Sequence, residues 1–125
     1  MTNEVIRRGD VVLVPFGYAD DPAARKVRPA VVVQNDIGNR FSSNVIVVAV
    51  TSQQTVRGLP TELPLRMNER LAQGSGLVND SVVDASVIST ISKRAVRRRI
   101  GSLSRDAMRA VDRCLAASLG LPPVS

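Results

Sequence analysis

The stretch that decides the fold reads Lys26-Val27-Arg28-Pro29-Ala30-Val31-Val32-Val33-Gln34-Asn35-Asp36. A second stretch of similar character follows it, Val45-Ile46-Val47-Val48-Ala49-Val50-Thr51-Ser52. An unbroken run of mostly β-branched apolar residues, as in both stretches, predicts a strand buried on both faces. If the two strands pair antiparallel, the start of the first lies beside the end of the second. Arg28 and Thr51 then meet at one rim of the sheet. A guanidinium and a hydroxyl fixed there can grip a phosphate.

Working outward, the flanking segments predict further strands, each bounded by turn residues. Proline cannot donate to a strand ladder, so Pro15 should end its strand or lie on an edge. Alternation of apolar and other residues in the segment Thr61–Leu65 places Glu62 and Pro64 outward. The segments that we assign are a strand at Val11–Phe16, a loop at Asn35–Asn44, a short edge strand at Thr61–Leu65, one helical turn within Arg66–Gly76 and a β-rich segment at Val82–Ile91.

The C-terminal segment predicts one amphipathic helix. Ser104 is a good N-cap, and Asp106 in the first turn complements the helix dipole. Gly120 and the prolines after it end the helix. Its apolar face is formed by Met108, Val111, Leu115 and Leu119. Short strands followed by one terminal helix predict a single domain over residues 1–125, mainly β, built as a small barrel with the helix packed against it.

Composition narrows the function classes. Seventeen basic against eleven acidic residues give a net charge of +6, which favours an anionic partner. The absence of histidine removes the commonest general acid–base and the commonest metal ligand. The single cysteine, Cys114, excludes an intramolecular disulfide and a multi-cysteine zinc site, and we expect it to be a packing residue. No apolar run has the length of a signal peptide core or a membrane span, so we expect a cytoplasmic protein.

Five words in this sequence, in order along nearly the whole chain, resemble the MazF/PemK (Kid) family of toxin–antitoxin ribonucleases. They are Arg8-Gly9-Asp10-Val11-Val12, Arg28-Pro29-Ala30-Val31-Val32-Val33-Gln34-Asn35-Asp36, Val47-Val48-Ala49-Val50-Thr51-Ser52, Asp80-Ser81-Val82-Val83 and Arg99-Ile100-Gly101-Ser102-Leu103-Ser104.

The resemblance implies an SH3-like small barrel of the MazF/CcdB/Kid type, a homodimer, and sequence-specific, metal-independent endoribonuclease activity on single-stranded RNA (mRNA). It also implies an antitoxin that neutralises the toxin, and a positively charged dimer would suit an antitoxin tail that is disordered and acidic. The family's catalytic arginine and threonine fall on Arg28 and Thr51. No cofactor and no metal are expected. Attack by the RNA's own 2′-hydroxyl gives a 2′,3′-cyclic phosphate and a 5′-hydroxyl.

Specificity for the RNA sequence is expected to reside in the loops Gly17–Lys26 and Gln53–Gly58. The candidate RNA contacts are Phe16, Arg25, Lys26, Ser52 and Gln53. Phe16 could stack on a base, but it is about equally compatible with a place in the core.

Three positions depart from the family pattern, since Val87, Ser89 and Ser92 stand where the family tends to carry glutamine, arginine and aspartate. Any RNA or dimer contact made by those side chains is therefore in doubt. The basic run Lys93–Arg99 is compatible both with RNA binding and with a solvated surface.

Two other functions remain open at this point. One is a gyrase-poisoning toxin on the same fold, as in the related CcdB proteins, which cleaves nothing. The other is a non-catalytic nucleic-acid-binding barrel, which only the charge supports. The words around Arg28 and Thr51 favour the ribonuclease.

Overall fold

A computed structural model describes residues 5–16, 26–52 and 57–123. Within them, six antiparallel strands form one sheet in the order β4-β5-β3-β2-β1-β6. Two short 3₁₀ helices lie at Arg70–Ala72 and Lys93–Ala95. The strands and α-helices are β1 Asp10–Phe16, β2 Lys26–Val32, α1 Asp36–Phe41, β3 Asn44–Ser52, β4 Glu62–Leu65, β5 Ser81–Ser92, β6 Arg98–Ser102 and α2 Arg105–Leu119. The predicted fold class, mainly β with a C-terminal helix, is confirmed.

The central strands are buried on both faces, as their apolar runs predict. In β3, Val48 and Val50 belong to a first apolar cluster, which also contains Val111 of α2. Val47 and Ala49, with the opposite parity, belong to a second cluster. Since successive side chains of a strand point to opposite faces, the sheet separates two cores, one covered by α2 and one enclosed by the sheet's own curl.

That curl is produced in β5. Its pairing with β3 shifts register, because Val48 lies opposite Ile88 whereas the next residue, Ala49, lies opposite Asp84. Residues 85–87 are therefore an insertion in β5, and an insertion of this kind bends a strand and increases its twist. The bend brings Val87 and Ile91 against the second cluster.

Helix α2 begins and ends as its sequence predicts. The Ser104 hydroxyl accepts a hydrogen bond from the backbone N–H of Ala107 at 3.1 Å, and Gly120 ends the helix in the left-handed region with φ 67°. Met108 and Val111 are buried against the sheet, whereas Leu119 is exposed. Cys114 is buried, which agrees with a packing role.

Two local predictions were wrong. The segment Asn35–Asn44 is not all loop, since α1 begins after Asn35, whose side chain accepts a hydrogen bond from the backbone N–H of Gly38 at 2.7 Å. The Glu62 side chain is not outward but 3 % exposed. Its carboxylate accepts hydrogen bonds from the backbone N–H groups of Arg57 and Leu59 at 2.9 and 3.1 Å. The buried carboxylate therefore provides hydrogen-bond acceptors for backbone donors of the turn before β4.

Pro15 lies in an inner strand, where its position explains why it is tolerated. The pairing of β1 with β6 ends at Leu13, so no described strand pairs with Pro15 on that side of β1. On the other side it lies opposite Val27 of β2. The strand continues for one further residue, Phe16.

Candidate functional site

The register of β2 and β3 brings the two predicted catalytic residues to the same rim. Ala30 lies opposite Ala49, and the antiparallel ladder continues inward from that pair. Continuing the same register outward by two residues aligns Arg28 with Thr51. Residues directly opposite each other point to one face, and here it is the face of Ala30 and Ala49, which is that of the second cluster.

The two side chains differ in exposure. Arg28 is exposed and lies opposite Val14 of β1, while Thr51 is half-buried and lies opposite Val82 of β5. Arg28 precedes Pro29, which restricts its backbone to extended conformations. The site therefore combines a solvent-facing cation with a hydroxyl set lower against the sheet. This arrangement suits an anionic ligand that approaches from solvent.

The other predicted RNA contacts are divided between surface, core and undescribed segments. Lys26 and Ser52 are exposed at the ends of β2 and β3, at the same end of the sheet as Arg28. Phe16 is 5 % exposed and belongs to the second cluster, so the core alternative is the one that the structure supports. Arg25 and Gln53 lie outside the described residues.

Two of the three departures from the family pattern line a cavity of about 320 Å³ beside Phe16. Ser89 and Ser92 contribute small hydroxyl side chains to its wall. Val87 packs against the second cluster instead. The recess is lined by Pro15, Phe16, Ser89, Thr90, Ile91, Ser92 and Ala95.

Sequence reasoning missed an acidic side chain on this face. Asp84 lies opposite Ala49 on one side and opposite Glu62 on the other. It is half-buried, and its Oδ1 accepts hydrogen bonds from the backbone N–H and the hydroxyl of Ser86 at 3.0 and 2.6 Å. The available signal was a single carboxylate interrupting the apolar run Val82–Ala85.

The opposite end of the strands is held by ion pairs and main-chain contacts. Arg8 donates through Nε to the carbonyl oxygen of Val33 at 3.0 Å and pairs with Asp112 of α2. Asp36 accepts from the backbone N–H of Arg8 at 2.7 Å, and that hydrogen bond, with a second from Asn39, lowers the pKa of the Asp36 carboxyl.

Asp10, also at this end, is 4 % exposed. Burial raises the pKa of its carboxyl, and the backbone N–H of Arg7 and the Arg99 guanidinium, whose Nε lies 3.3 Å from Oδ1, partly offset that rise. Arg8 and Asp10, which belong to the first of the five sequence words, therefore make structural contacts to the end of β2, to α2 and to β6.

The basic run Lys93–Arg99 contains both cations that contact other parts of the protein and cations that are exposed. Lys93 donates to the carbonyl oxygen of Asn39, and Arg99 pairs with Asp10. Arg94, Arg97 and Arg98 are exposed. At least two of its five cations therefore have structural roles.

The residues that the structure describes offer neither a three-ligand metal site nor a membrane-spanning helix. No group of three or more His, Cys, Asp or Glu side chains there could hold a metal ion. Neither α-helix of those residues has the length and apolar character needed to cross a bilayer.

Comparison with solved structures finds the same fold in toxins. An endoribonuclease from a mycobacterial species, solved in complex with its cognate antitoxin, is 26% identical, with a TM-score of 0.74 over 94% of this chain and 97% of that one. The Mycobacterium tuberculosis toxin MazF-mt6 is 26% identical, with a TM-score of 0.72 over 90% of this chain and 98% of that one. A chain of a MazE–MazF crystal structure from Deinococcus radiodurans, 24% identical, shares the fold with a TM-score of 0.71 over 96% of this chain and all of that one.

A family model gives the same result over most of the sequence. The model describes a PemK-like, MazF-like toxin of type II toxin–antitoxin systems, and it matches residues 7–119. That range includes β1 through α2 and both strands that carry Arg28 and Thr51. The chain thus belongs to the family of PemK-like, MazF-like toxins of type II toxin–antitoxin systems.

Proposed function

We propose that this toxin is a sequence-specific, metal-independent endoribonuclease that cleaves single-stranded RNA with Arg28 and Thr51. The observation that supports the proposal is the β2–β3 register, in which Ala30 lies opposite Ala49. Continued by two residues, that register aligns Arg28 with Thr51 on one face at one rim of the sheet. The family match and the similarity to named endoribonucleases support the same reaction class.

The mechanism needs no nucleophile from the protein. The 2′-hydroxyl of the RNA attacks the adjacent phosphorus, and negative charge builds on the non-bridging phosphate oxygens. Arg28 can hold two of those oxygens with parallel hydrogen bonds, and Thr51 can donate a third from its hydroxyl. The bond to the 5′-oxygen then breaks, which leaves a 2′,3′-cyclic phosphate and a 5′-hydroxyl.

The test is cleavage of a long single-stranded RNA in excess EDTA, with Arg28→Ala beside the wild type. Removing one preorganised donor costs about a hundred- to a thousand-fold in rate, so the variant should be nearly silent. Arg109→Ala, which removes an exposed arginine of α2, is the matched control and should cleave normally. Wild-type protein that cuts no RNA would refute the proposal. Gyrase inhibition by that protein would then select the gyrase-poison alternative.

The proposed partners follow from charge and exposed surface. A cognate antitoxin with an acidic, disordered tail would complement the net charge of +6. The similar mycobacterial endoribonuclease was solved in complex with its cognate antitoxin. We place the complex in the cytoplasm, where mRNA is available. Titration with the antitoxin should abolish cleavage, and the affinity should fall as salt rises.

A homodimer is supported by three large apolar side chains grouped on one surface. Val5, Ile37 and Phe41 are 68%, 75% and 76% exposed, and together they line one recess beside α1. Exposed apolar groups of this kind mark interaction sites. Phe41→Glu should therefore produce a monomer in sedimentation equilibrium, while Val78→Glu, at an exposed position of another segment, should leave the dimer intact. A wild-type mass that stays monomeric at all concentrations would refute this assembly.

A further inference from the structure

Asp84 is the carboxylate that the strand register brings to the face and the end of the sheet that carry Arg28 and Thr51. It lies opposite Ala49, and Thr51 is two residues further along β3 on the same face. Side chains in that diagonal relation have Cβ atoms about 7–8 Å apart or somewhat less. A ribose bound between them would have its 2′-oxygen near Asp84 when its phosphate lies on Arg28 and Thr51.

The orientation of this carboxylate is fixed by its own strand. The insertion at residues 85–87 places Ser86 where its N–H and hydroxyl both donate to Oδ1 of Asp84. The second oxygen, Oδ2, has no hydrogen-bond partner in the part of the chain that the structure describes. A base whose position is set by a third group, with one oxygen left for the substrate, is the arrangement that proton abstraction requires.

The other described carboxylates are held in structural contacts. Glu62, directly opposite Asp84, is 3 % exposed and accepts from two backbone N–H groups, with Arg57 Nε 3.9 Å from its second oxygen. Asp80 accepts from the backbone N–H of Met67 at 2.8 Å. Five more each pair with an arginine side chain or main chain away from this rim, namely Asp10, Asp36, Glu69, Asp106 and Asp112.

We propose that Asp84 is the general base of the cleavage reaction, an inference that rests on the proposed function. Oδ2 takes the proton of the 2′-hydroxyl as the bond from the 2′-oxygen to phosphorus forms. The bond from phosphorus to the 5′-oxygen breaks with its electron pair, and that oxygen takes a proton from water. The Asp84 carboxylic acid then returns its proton to solvent, so no oxidant, reductant or metal enters the step.

The pH dependence of the reaction distinguishes a base from a residue that only binds RNA. The charged group that faces Asp84 from the neighbouring strand β4 is Glu62, with Arg57 beside it, whereas β3 on the other side places the apolar Ala49 opposite it. In the wild type, the single-turnover rate should fall at acid pH. In Asp84→Asn that dependence should be replaced by a rate rising tenfold for each pH unit, since hydroxide is then the only base.

The experiment compares single-turnover cleavage by the wild type, Asp84→Asn and Asp80→Asn in EDTA. The substrate is an RNA oligonucleotide spanning one mapped cut, and its 2′-deoxy analogue at the cut measures binding alone. Asp84→Asn should lose about 10²- to 10⁴-fold in rate at neutral pH with binding within threefold of wild type. Asp80→Asn, whose amide oxygen can still accept from Met67, should match the wild type.

Three results would overturn the inference. The first is a rate for Asp84→Asn within threefold of wild type while Arg28→Ala is silent, which would leave the proposed function standing. The second is equal loss of binding and rate, which would make Asp84 an RNA-binding residue only. The third is a fall in rate at acid pH that is the same in Asp84→Asn as in the wild type. If Asp84→Asn does not fold, Asp84→Glu serves as the second variant, because it keeps a carboxylate. Asp84→Glu should cleave slowly and its rate should still fall at acid pH. A rate for Asp84→Glu that does not fall at acid pH would also contradict the role of Asp84 as the base. A wild type that cuts no RNA fails the proposed function itself, which is a separate outcome.

Discussion

Gly101→Ala is the substitution whose effect on stability can be worked out most directly from the structure. Gly101 lies in β6, and a Cβ built there would be 2.4 Å from both the carbonyl oxygen of Gly74 and the carbonyl carbon of Ser75. Both atoms belong to the backbone, so no side-chain rotation relieves the contact. The loop at residues 74–76 must therefore move away from β6.

The cost has two parts. Forcing extra volume into a packed contact typically costs about 1–3 kcal/mol. Moving the loop also weakens the hydrogen bond from Ser102 N–H to the Gly74 carbonyl oxygen, which measures 2.9 Å and is worth about 1 kcal/mol. We therefore expect the free energy of unfolding to fall by roughly 2–4 kcal/mol, which for a domain of this size lowers the melting temperature by about 8–16 °C.

The assay is urea unfolding followed by circular dichroism at one fixed protein concentration, because the homodimer proposed above would make apparent stability depend on concentration. Gly58→Ala is the matched control. Its backbone has φ 71°, but a Cβ there would meet no atom within 4 Å, so only about 1–2 kcal/mol of left-handed strain applies. A Gly101→Ala protein within 0.5 kcal/mol of wild type would show that the loop is not packed on β6 and would refute the reasoning.

Two further predictions concern single groups. The pKa of Asp36 is lowered in the folded state, so its contribution to stability is present above its unfolded pKa, near 3.8, and is lost as pH falls through the folded value. Asp36→Asn should consequently narrow the difference in urea midpoint between neutral pH and pH 3, and an unchanged difference would contradict this linkage. Burial raises the pKa of the Cys114 thiol, so the native protein should react with iodoacetamide far more slowly than the protein in denaturant. Comparable rates would show that α2 is not docked.

The strands and α2 could be predicted because each carries a long local signal. The apolar runs of β2 and β3 allow little else, and Ser104 and Gly120 mark both ends of α2. Helix α1 was missed because it has only six residues and contains Gly38, so no apolar periodicity develops. Its available signal was Asn35, a good N-cap residue, read as part of a loop.

The site could be predicted only in part, because registers and faces are products of pairing between strands. Arg28 and Thr51 could be proposed together because both flank apolar runs whose antiparallel pairing was expected. Asp84 depends on the shift within β5, which no local pattern reveals. Glu62 was assigned outward by alternation, whereas the buried polar groups of a turn required a carboxylate at that position.

Burial on both faces of β2 and β3 has a consequence for how this toxin maintains its activity. When one face of a strand is exposed to solvent, a one-residue shift in its pairing moves apolar side chains into water and is unfavourable. In β2 and β3 both faces are buried and carry valines, so such a shift would largely exchange one valine for another. The alignment must be fixed by polar contacts at the connection, where Gln34 Nε2 donates to the carbonyl oxygen of Asn44 at 3.0 Å and Val33 N–H to that of Ile46 at 3.0 Å. A slip there would turn Arg28 and Thr51 to opposite faces. The connection between β2 and β3 thus helps to fix their register. Substitutions in it should impair cleavage at the far end of the strands while the protein stays folded.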